Sequence, residues 1–326
     1  MPRYRRAKAA PTFAASMAID HVPFGGWKNN VRLANAHAEL IITLDVGPRV
    51  ISYRAIDGTN VFKTFDEQLG GTGETEWKSR GGHRFWLAPE DAVLSYIPDN
   101  AAVEHRVLSR HEVELSMSLG EQLPVRKTLT AALAADSTRV TVTHRAENIG
   151  GESLAIATWG LSVMAAGGIE VIPLPALGEH PRDLLPNRTM ILWPFTVMTD
   201  PRWRWGRRFI TLRQAEAGPT KIGLAHGERW VAYHRGDTLF VKIIEYREGA
   251  SYPDFGCNFE TFTNEEMLEV ESLGPLVDLA PGTATEHVET WHLFDGVGAP
   301  PSGEDEMAAW FDNAAAGIAA EIRLPA

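Results

Sequence analysis

The sequence Met267-Leu-Glu-Val-Glu-Ser-Leu-Gly-Pro-Leu-Val-Asp-Leu-Ala-Pro-Gly-Thr283 has the pattern of β-strands separated by Gly-Pro and Pro-Gly turns. Its acidic residues Glu269 and Glu271 are two positions apart, so both side chains point to the same face of a sheet. Paired carboxylates on one face repel each other unless water, a cation or a polyol separates them. The pattern therefore predicts either a solvated face or a binding site.

Similar short runs of β-branched and aromatic residues recur along the chain, at 31–35, 38–44, 49–54, 140–144 and 240–246. Gly-Pro, Asp-Gly and Pro-Gly pairs separate them, as is typical of turns between antiparallel strands. The sequence contains no internal repeat and no composition shift that would mark a domain boundary. These features predict an all-β fold in one domain, residues 21–326, after a disordered N-terminal tail at 1–20.

Helical periodicity is clear only near the end of the sequence, between residues 304 and 322. Ser302 or Asp305 could cap such a helix. We expect a short C-terminal helix that covers its own sheet, because its apolar stripe is narrow. The residues of the stripe are Met307, Trp310, Phe311, Ala314, Ile318 and Ile322.

Composition limits the classes of partner. The 326 residues include 31 Lys and Arg against 42 Asp and Glu, a net charge of −11, which argues against binding to nucleic acid or to an anionic membrane surface. Cys257 is the only cysteine, so an intrachain disulfide or a cysteine-based metal site is excluded. No apolar run has the length of a membrane span, and we expect a soluble, cytoplasmic protein.

Several catalytic motifs are missing from the sequence. There is no His-x-His or His-Glu-x-x-His spacing for zinc and no Gly-x-Ser-x-Gly turn for a serine hydrolase. Gly70, Gly71 and Gly73 do not stand between a strand and a helix, so a nucleotide-binding loop is not predicted. We therefore expect no cofactor.

One segment of fourteen residues concentrates aromatic and charged side chains around a Gly-Gly pair. Aromatic rings stack on the C–H faces of sugars, and charged planar groups bridge adjacent hydroxyls, so the segment favours carbohydrate binding. The alternative is structural: Trp86 in the core, and Arg84 paired with Glu90. The residues in question are Trp77, Arg80, His83, Arg84, Trp86 and Glu90.

Two further segments carry candidate ligand-binding residues. Asn187 and Arg188 lie in a Pro-bounded loop, where they are either ligand clamps or ordinary turn residues. Asp254, Asn258 and Glu260 alternate with apolar residues, and the last two share a strand face. If that strand neighbours the one with Glu269 and Glu271, three carboxylates meet. They could bind Ca²⁺ or Mg²⁺, although solvation or pairing with arginine is the simpler expectation.

The sequence Asn35-Ala-His-Ala-Glu-Leu-Ile-Ile-Thr-Leu-Asp-Val-Gly-Pro-Arg-Val-Ile-Ser-Tyr53 resembles the opening strands of the galactose mutarotase-like, or aldose 1-epimerase-like, proteins. The late acidic strand and the following Trp-His-Leu-Phe resemble the ending of that group. The segments 81–90 and 184–195 resemble its DUF4380-type branch. The resemblance spans roughly residues 25 to 295 and implies an antiparallel β-supersandwich with a sugar-sized cleft and a small-molecule carbohydrate as partner.

The resemblance also implies roles for particular residues. In aldose 1-epimerases a late glutamate takes the proton of the anomeric hydroxyl and a histidine donates one to the ring oxygen. Glu271 matches the glutamate. Trp159 stands where the histidine is expected, and tryptophan does not transfer protons at neutral pH, which leaves His83 as the candidate acid.

Two hypotheses follow. In the first, the protein is an isomerase acting at the anomeric carbon, with Glu271 as base and His83 as acid. Arg80, Arg84 and Arg188 would then orient hydroxyls or the carboxylate of a sugar acid. In the second, the protein binds a carbohydrate without catalysis, and Trp86 and Trp159 form the stacking platform.

Overall fold

The computed structural model describes residues 20–322 and shows two large antiparallel β-sheets. The strands are β1 (Asp20–Phe24), β2 (Trp27–Ala34), β3 (Ala38–Thr43), β4 (Arg49–Ala55), β5 (Gly82–Ala88), β6 (Glu104–Ser109), β7 (Glu112–Ser118), β8 (Val125–Leu133), β9 (Val140–Asn148), β10 (Leu154–Ala165), β11 (Ile169–Pro173), β12 (Met190–Leu192), β13 (Trp203–Trp205), β14 (Phe209–Arg213), β15 (Thr220–Leu224), β16 (Trp230–Arg235), β17 (Thr238–Ile244), β18 (Phe259–Thr263), β19 (Met267–Leu273), β20 (Val277–Leu279) and β21 (Ala284–Phe294).

The first sheet has the strand order β1-β2-β3-β4-β5-β10-β19-β18-β15-β12, with β20 paired to β10. The second has the order β13-β14-β11-β16-β17-β21-β9-β8-β7-β6. Every strand pair is antiparallel, so the predicted all-β supersandwich is confirmed. The five predicted strand segments overlap β2, β3, β4, β9 and β17.

A hydrophobic core lies between the two sheets. Tyr53 of the first sheet meets Trp291 of the second with ring centroids 5.9 Å apart, and Phe62 meets Trp291 at 5.5 Å. In β9, residues alternate between buried and half-buried, as expected for a strand with one face on a core. In β5 every residue is buried, which shows that the outer face of this strand is covered as well.

Strand register aligns a row of side chains, three of them charged, on the outer face of the first sheet. The outer face is the one turned away from the second sheet. Leu161 in β10 lies opposite Arg84 of β5 on one side and Glu271 of β19 on the other. Glu271 in turn lies opposite Glu260 of β18. Directly opposed residues point to the same face, so these side chains share one surface.

The C-terminal segment forms helix α2 (Glu304–Ala314), a 3₁₀ turn (Ala316–Ile318) and helix α3 (Ala319–Ile322), after a one-turn helix α1 (Pro253–Gly256) earlier in the chain. Gly303 is the N-cap of α2 and there is no side-chain cap, so the predicted capping by Ser302 or Asp305 is wrong. Phe311 stacks on Trp230 of the second sheet with centroids 3.6 Å apart, so the helix covers its own sheet as expected.

The predicted tail at 1–20 lies outside the described residues, except for Asp20, which begins β1. Within residues 20–322 we find no helix whose length and apolar character would allow it to cross a membrane.

Candidate functional site

A cavity of about 350 Å³ opens on the outer face of the first sheet. Strands β5, β10, β15, β18 and β19 supply most of its floor, and the segments around Trp77 and Trp193 supply its sides. The lining residues are Trp77, Ser79, Arg84, Trp86, Glu90, Tyr96, Trp159, Leu161, Trp193, Phe195, Lys221, Phe262, Met267 and Glu269. Four residues predicted from sequence as ligand contacts, Arg84, Trp86, Glu90 and Trp159, are among them.

Aromatic rings form one side of the cavity. Trp86 meets Trp77, Tyr96 and Trp159 edge to face, with centroid distances of 5.1, 5.2 and 5.6 Å. Trp86 and Trp159 are each less than a tenth exposed, so they also belong to the packed core of this region, as the structural interpretation of Trp86 expected. The tightly packed rings give this side a fixed shape.

A second aromatic group borders the same cavity on the other side of β19. Its members are Phe262 of β18 and two residues that follow β12, Trp193 and Phe195. Phe195 and Phe262 are in edge contact at 6.5 Å, and Trp193 lies over the ammonium of Lys221 at 4.7 Å. Phe195 is 43% exposed, so it forms part of the cavity's open rim.

Arg84 is the central cation of the cavity. Its Nη1 lies 2.8 Å from Oε1 of Glu269, and its guanidinium stacks over Trp86 at 4.7 Å and over Trp77 at 5.4 Å. The structural alternative paired Arg84 with Glu90, but Glu90 instead accepts a hydrogen bond from Tyr96 at 2.8 Å. The positive charge of Arg84 is therefore balanced by the carboxylate of Glu269.

Lys221, which is not among the residues predicted for the site, connects the two acidic strands. Its Nζ lies 2.7 Å from Oε2 of Glu260 and 3.1 Å from Oε2 of Glu271, and 4.8 Å from the ring centre of Trp159. The expected meeting of three carboxylates does occur, since β18 pairs with β19. The cation between Glu260 and Glu271 is Lys221. The expected arginine is present too, but it is Arg84 and it pairs with Glu269. The sequence signal was a charged residue inside the apolar strand run 220–224.

The buried charges of this cluster shift each other's proton affinity. Burial raises the pKa of Glu271 to about 7, against the opposing effect of Lys221. Burial also raises the pKa of Glu260 well above its usual range. Burial disfavours the ammonium of Lys221, but Glu271 and Glu260 outweigh that effect and raise the pKa of Lys221. The lysine is therefore charged, and Glu271 can hold a proton near neutral pH.

Glu271 itself lies below the cavity surface. It is fully buried, accepts a hydrogen bond from Nε1 of Trp159 at 2.9 Å, and is covered by Trp159 and Lys221. The acidic residues that line the cavity are Glu90 and Glu269. The side chains of Trp159 and Lys221 thus separate Glu271 from the cavity.

His83 does not face the cavity, which corrects its pairing with Glu271 across one ligand. In a strand, neighbours point to opposite faces, and His83 points between the sheets while Arg84 points outward. Its Nε2 lies 2.7 Å from Nε2 of His144, and its Nδ1 lies 2.9 Å from Oγ of Ser162. Burial lowers the pKa of His83 to about 3, so the ring is neutral.

His83, His144 and Glu289 form the one grouping of three metal-type ligands among residues 20–322. Glu289 already forms an ion pair with Lys242, whose Nζ lies 3.0 Å from Oε1 of Glu289. We assign this interior group a structural role between the sheets.

Arg80 and Asn258 are also structural. Arg80 is fully buried, donates to Glu74 at 2.6 Å and lies over the ring of Trp27. Asn258 is committed to the backbone of His226, accepting from its N–H at 2.6 Å. Neither residue lines the cavity, so their expected ligand contacts are corrected.

The remaining predicted residues lie elsewhere. Asn187 donates to the carbonyl of Ala176 at 2.7 Å, and Arg188 donates to the carbonyls of Pro175 and Arg207. This loop borders a different cavity, and Asp254 lies in a turn with a left-handed φ of 50°. Only one of the three arginines expected around a ligand, Arg84, is therefore at the cavity.

Comparisons with known proteins identify the fold of the chain. No model of a known protein family matches the chain, and no curated protein matches its sequence. A galactose mutarotase-like protein from Lactobacillus casei superposes with a TM-score of 0.53 at 13% identity, over 81% of this chain and 100% of the other. A candidate aldose 1-epimerase from Escherichia coli K12 gives 0.53 at 12% identity, over 82% and 99%.

A TPR-domain containing protein from Parabacteroides distasonis gives a TM-score of 0.57 at 14% identity, over 81% of this chain and 46% of the other. At such identities the likeness shows the fold alone. The chain has the galactose mutarotase-like fold, and its place in the DUF4380-type branch stays a prediction.

Proposed function

We propose that the protein binds a neutral monosaccharide in the cavity on the outer face of the first sheet. One observation carries the proposal: two aromatic groups border a single cavity whose floor holds the Arg84–Glu269 ion pair and Lys221. Aromatic faces suit the C–H surfaces of a sugar ring, and charged side chains suit its hydroxyls. The cavity volume, about 350 Å³, falls in the usual range for small-molecule sites.

The charge balance of the cavity favours a neutral sugar over a sugar acid. Arg84 is paired with Glu269, and Lys221 is held by two carboxylates. A carboxylate on the ligand would compete with these pairs and would meet their negative charge. Hydroxyl groups both donate and accept, so they can bond to Arg84 and Glu269 together without disrupting the pair.

Saturation-transfer NMR with a panel of neutral aldoses and uronic acids tests the proposal, followed by calorimetric titration of the best ligand. Phe195→Ala should weaken binding about tenfold, since it removes an exposed ring from the cavity rim. Leu108→Ala is the matched control, because Leu108 is 41% exposed on β6 of the other sheet. Preference for uronic acids would overturn the assignment to neutral sugars, and no binding by any sugar would overturn the function.

A second function, catalysis of anomer exchange, is favoured by the raised pKa of Glu271, about 7, which suits a base near neutral pH. In this reaction Trp159 and Lys221 move aside from Glu271, which then accepts the proton of the anomeric hydroxyl as the bond from the anomeric carbon to the ring oxygen breaks. Lys221 donates a proton to that oxygen. The open-chain aldehyde then rotates and recloses, which returns both protons.

Two other observations favour the competing function, binding of the sugar without catalysis. None of the cavity-lining residues within the described chain is a histidine, and Glu271 has no exposed surface. NMR exchange between α and β anomers decides between the two. Accelerated exchange that is lost in Glu271→Gln, with ligand affinity kept within about tenfold, supports catalysis. Unaccelerated exchange in a protein that binds the sugar supports the non-catalytic function.

A further inference from the structure

Exposed apolar side chains are concentrated on one segment of the chain, residues 177–198, whose exposed face we call the apolar surface. Of the fifteen large hydrophobic side chains that are exposed within residues 20–322, eight fall between positions 177 and 198. Ordinary monomers rarely expose contiguous apolar patches beyond a few hundred Å², and larger ones mark binding surfaces. The eight residues are Leu177, Leu184, Leu185, Met190, Leu192, Phe195, Val197 and Met198.

These residues belong to one folded segment. Asn187 and Arg188 bond back to the carbonyls of Ala176 and Pro175, which ties the two ends of the loop together. Trp205 donates a hydrogen bond to the carbonyl of Met198 at 3.0 Å, which holds the later part of the segment against β13. The apolar side chains are therefore presented by an anchored surface.

Both sheets end at this surface. β12 is the last strand of the first sheet and pairs with β15 alone among the described strands, and β13 is the last strand of the second. An edge strand presents unpaired N–H and C=O groups, and proteins commonly protect such edges with charged residues. Here the sequence from Thr189 to Thr199 has no charged residue at all.

We propose that this surface is the interface of a homodimer, in which β12 of one copy pairs antiparallel with β12 of a second copy. An antiparallel strand pair around a two-fold axis is self-complementary, since each strand offers the other the same donors and acceptors. Each of the eight apolar side chains is more than a third exposed, so they can contribute to an interface of standard size, roughly 800 Å² per partner.

Charge favours a second copy over other occupants. The whole chain carries a net charge of −11, so an anionic membrane would be repelled by the surroundings of the surface, whereas the uncharged, self-complementary strand edge suits a second copy. Two copies also repel at long range, but the uncharged segment places no like charges in direct contact. The inference is independent of the proposed function, since the strand pair is formed by Met190–Leu192 and does not require Phe195, which borders the sugar cavity.

Light scattering coupled to size-exclusion chromatography tests the proposal on the full chain, at about 1 to 100 µM protein. We expect a mass of twice the 35.9 kDa of one chain. The variant Leu192→Glu with Val197→Glu should be monomeric, because it places like charges across the two-fold axis. The control Val107→Glu with Leu108→Glu adds the same charge on the edge strand β6, at 49% and 41% exposed positions, and should stay dimeric.

Three results would overturn the inference: a wild-type monomer at every concentration, a dimer that survives the changes at Leu192 and Val197, or a dimer lost equally in the control. Circular dichroism melting of each variant shows whether it is folded. Should the double variant unfold, Leu192→Glu alone replaces it, since it still places a charge in the apolar contact on each copy.

Discussion

Trp159 donates a hydrogen bond from its indole nitrogen to Oε2 of Glu271 across strands β10 and β19, at 2.9 Å. The bond links the residue that occupies the place expected for a catalytic histidine to the carboxylate expected to be the base. Because an N–H donor stabilises the charged form of a carboxylate, Trp159 acts on the proton affinity of Glu271 without transferring a proton itself.

Replacing Trp159 by Phe should raise the pKa of Glu271 above its value of about 7, because the charged carboxylate loses a donor. Oε2 of Glu271 keeps its hydrogen bond from Lys221, so the loss of the Trp159 donor should cost about 1.5–3 kcal/mol of folding free energy, as for a hydrogen bond to a charged group, in addition to lost packing. Carbon-13 NMR titration of the Glu271 carboxyl measures the pKa. Trp203→Phe is the control, since Trp203 donates to the neutral hydroxyl of Thr220. An unchanged Glu271 pKa in Trp159→Phe would contradict the argument.

The pKa of Glu271 predicts a pH dependence of stability. Its folded value, about 7, lies above the ordinary 4.5, so between those values the folded state holds more protons than the unfolded state. The contribution of Glu271 to stability is thus greatest at low pH and is lost as the pH rises from about 4.5 to about 7.

Urea unfolding of the wild type and of Glu271→Gln at several pH values isolates this contribution, because other titrating groups are common to both proteins. The variant should gain stability relative to the wild type as the pH rises through this window. A difference between the two proteins that does not change with pH would count against the raised pKa.

Lys221→Met should be strongly destabilising, because it leaves Glu260 and Glu271 buried without their cation. Removing one partner of a buried ion pair typically costs about 3–5 kcal/mol. The loss should be smaller at pH 5, which lies below the pKa of about 7 of Glu271, and burial raises the pKa of Glu260 in the same direction. Urea unfolding at pH 5 and pH 8 measures both effects, with Lys28→Met, at an exposed position, as control. Equal losses at the two pH values would refute the role given to Lys221.

Much of the fold and part of the site follow from local sequence pattern. Period-two alternation placed Glu269 and Glu271 on one face, and the same alternation, applied to β5, separates His83 from Arg84. The predicted pairing of His83 with Glu271 is wrong because His83 lies on the inward face of β5, where it contacts His144 and Ser162. Lys221 could not be found in this way, since it meets Glu271 only through the strand order β15-β18-β19, which sequence spacing does not encode.

The interior group around His144 depends on a close approach of the sheets at Gly160. A Cβ atom added at Gly160 would lie 2.5 Å from Oε1 of Glu289 and 3.0 Å from Nε2 of His144. Both groups are fully buried and held by hydrogen bonds, so they cannot move aside freely. Gly160→Ala should therefore lower the free energy of unfolding by about 1–3 kcal/mol through overpacking.

Gly151→Ala is the matched control for Gly160→Ala, because a Cβ atom at Gly151 meets no described atom within 4 Å. It should be neutral or slightly stabilising, since alanine reduces the entropy of the unfolded chain. Urea unfolding measures both variants, and imidazole proton shifts of His144 report the local change. If Gly160→Ala were as stable as Gly151→Ala and left the His144 signals in place, the sheets would not be held together tightly at this point.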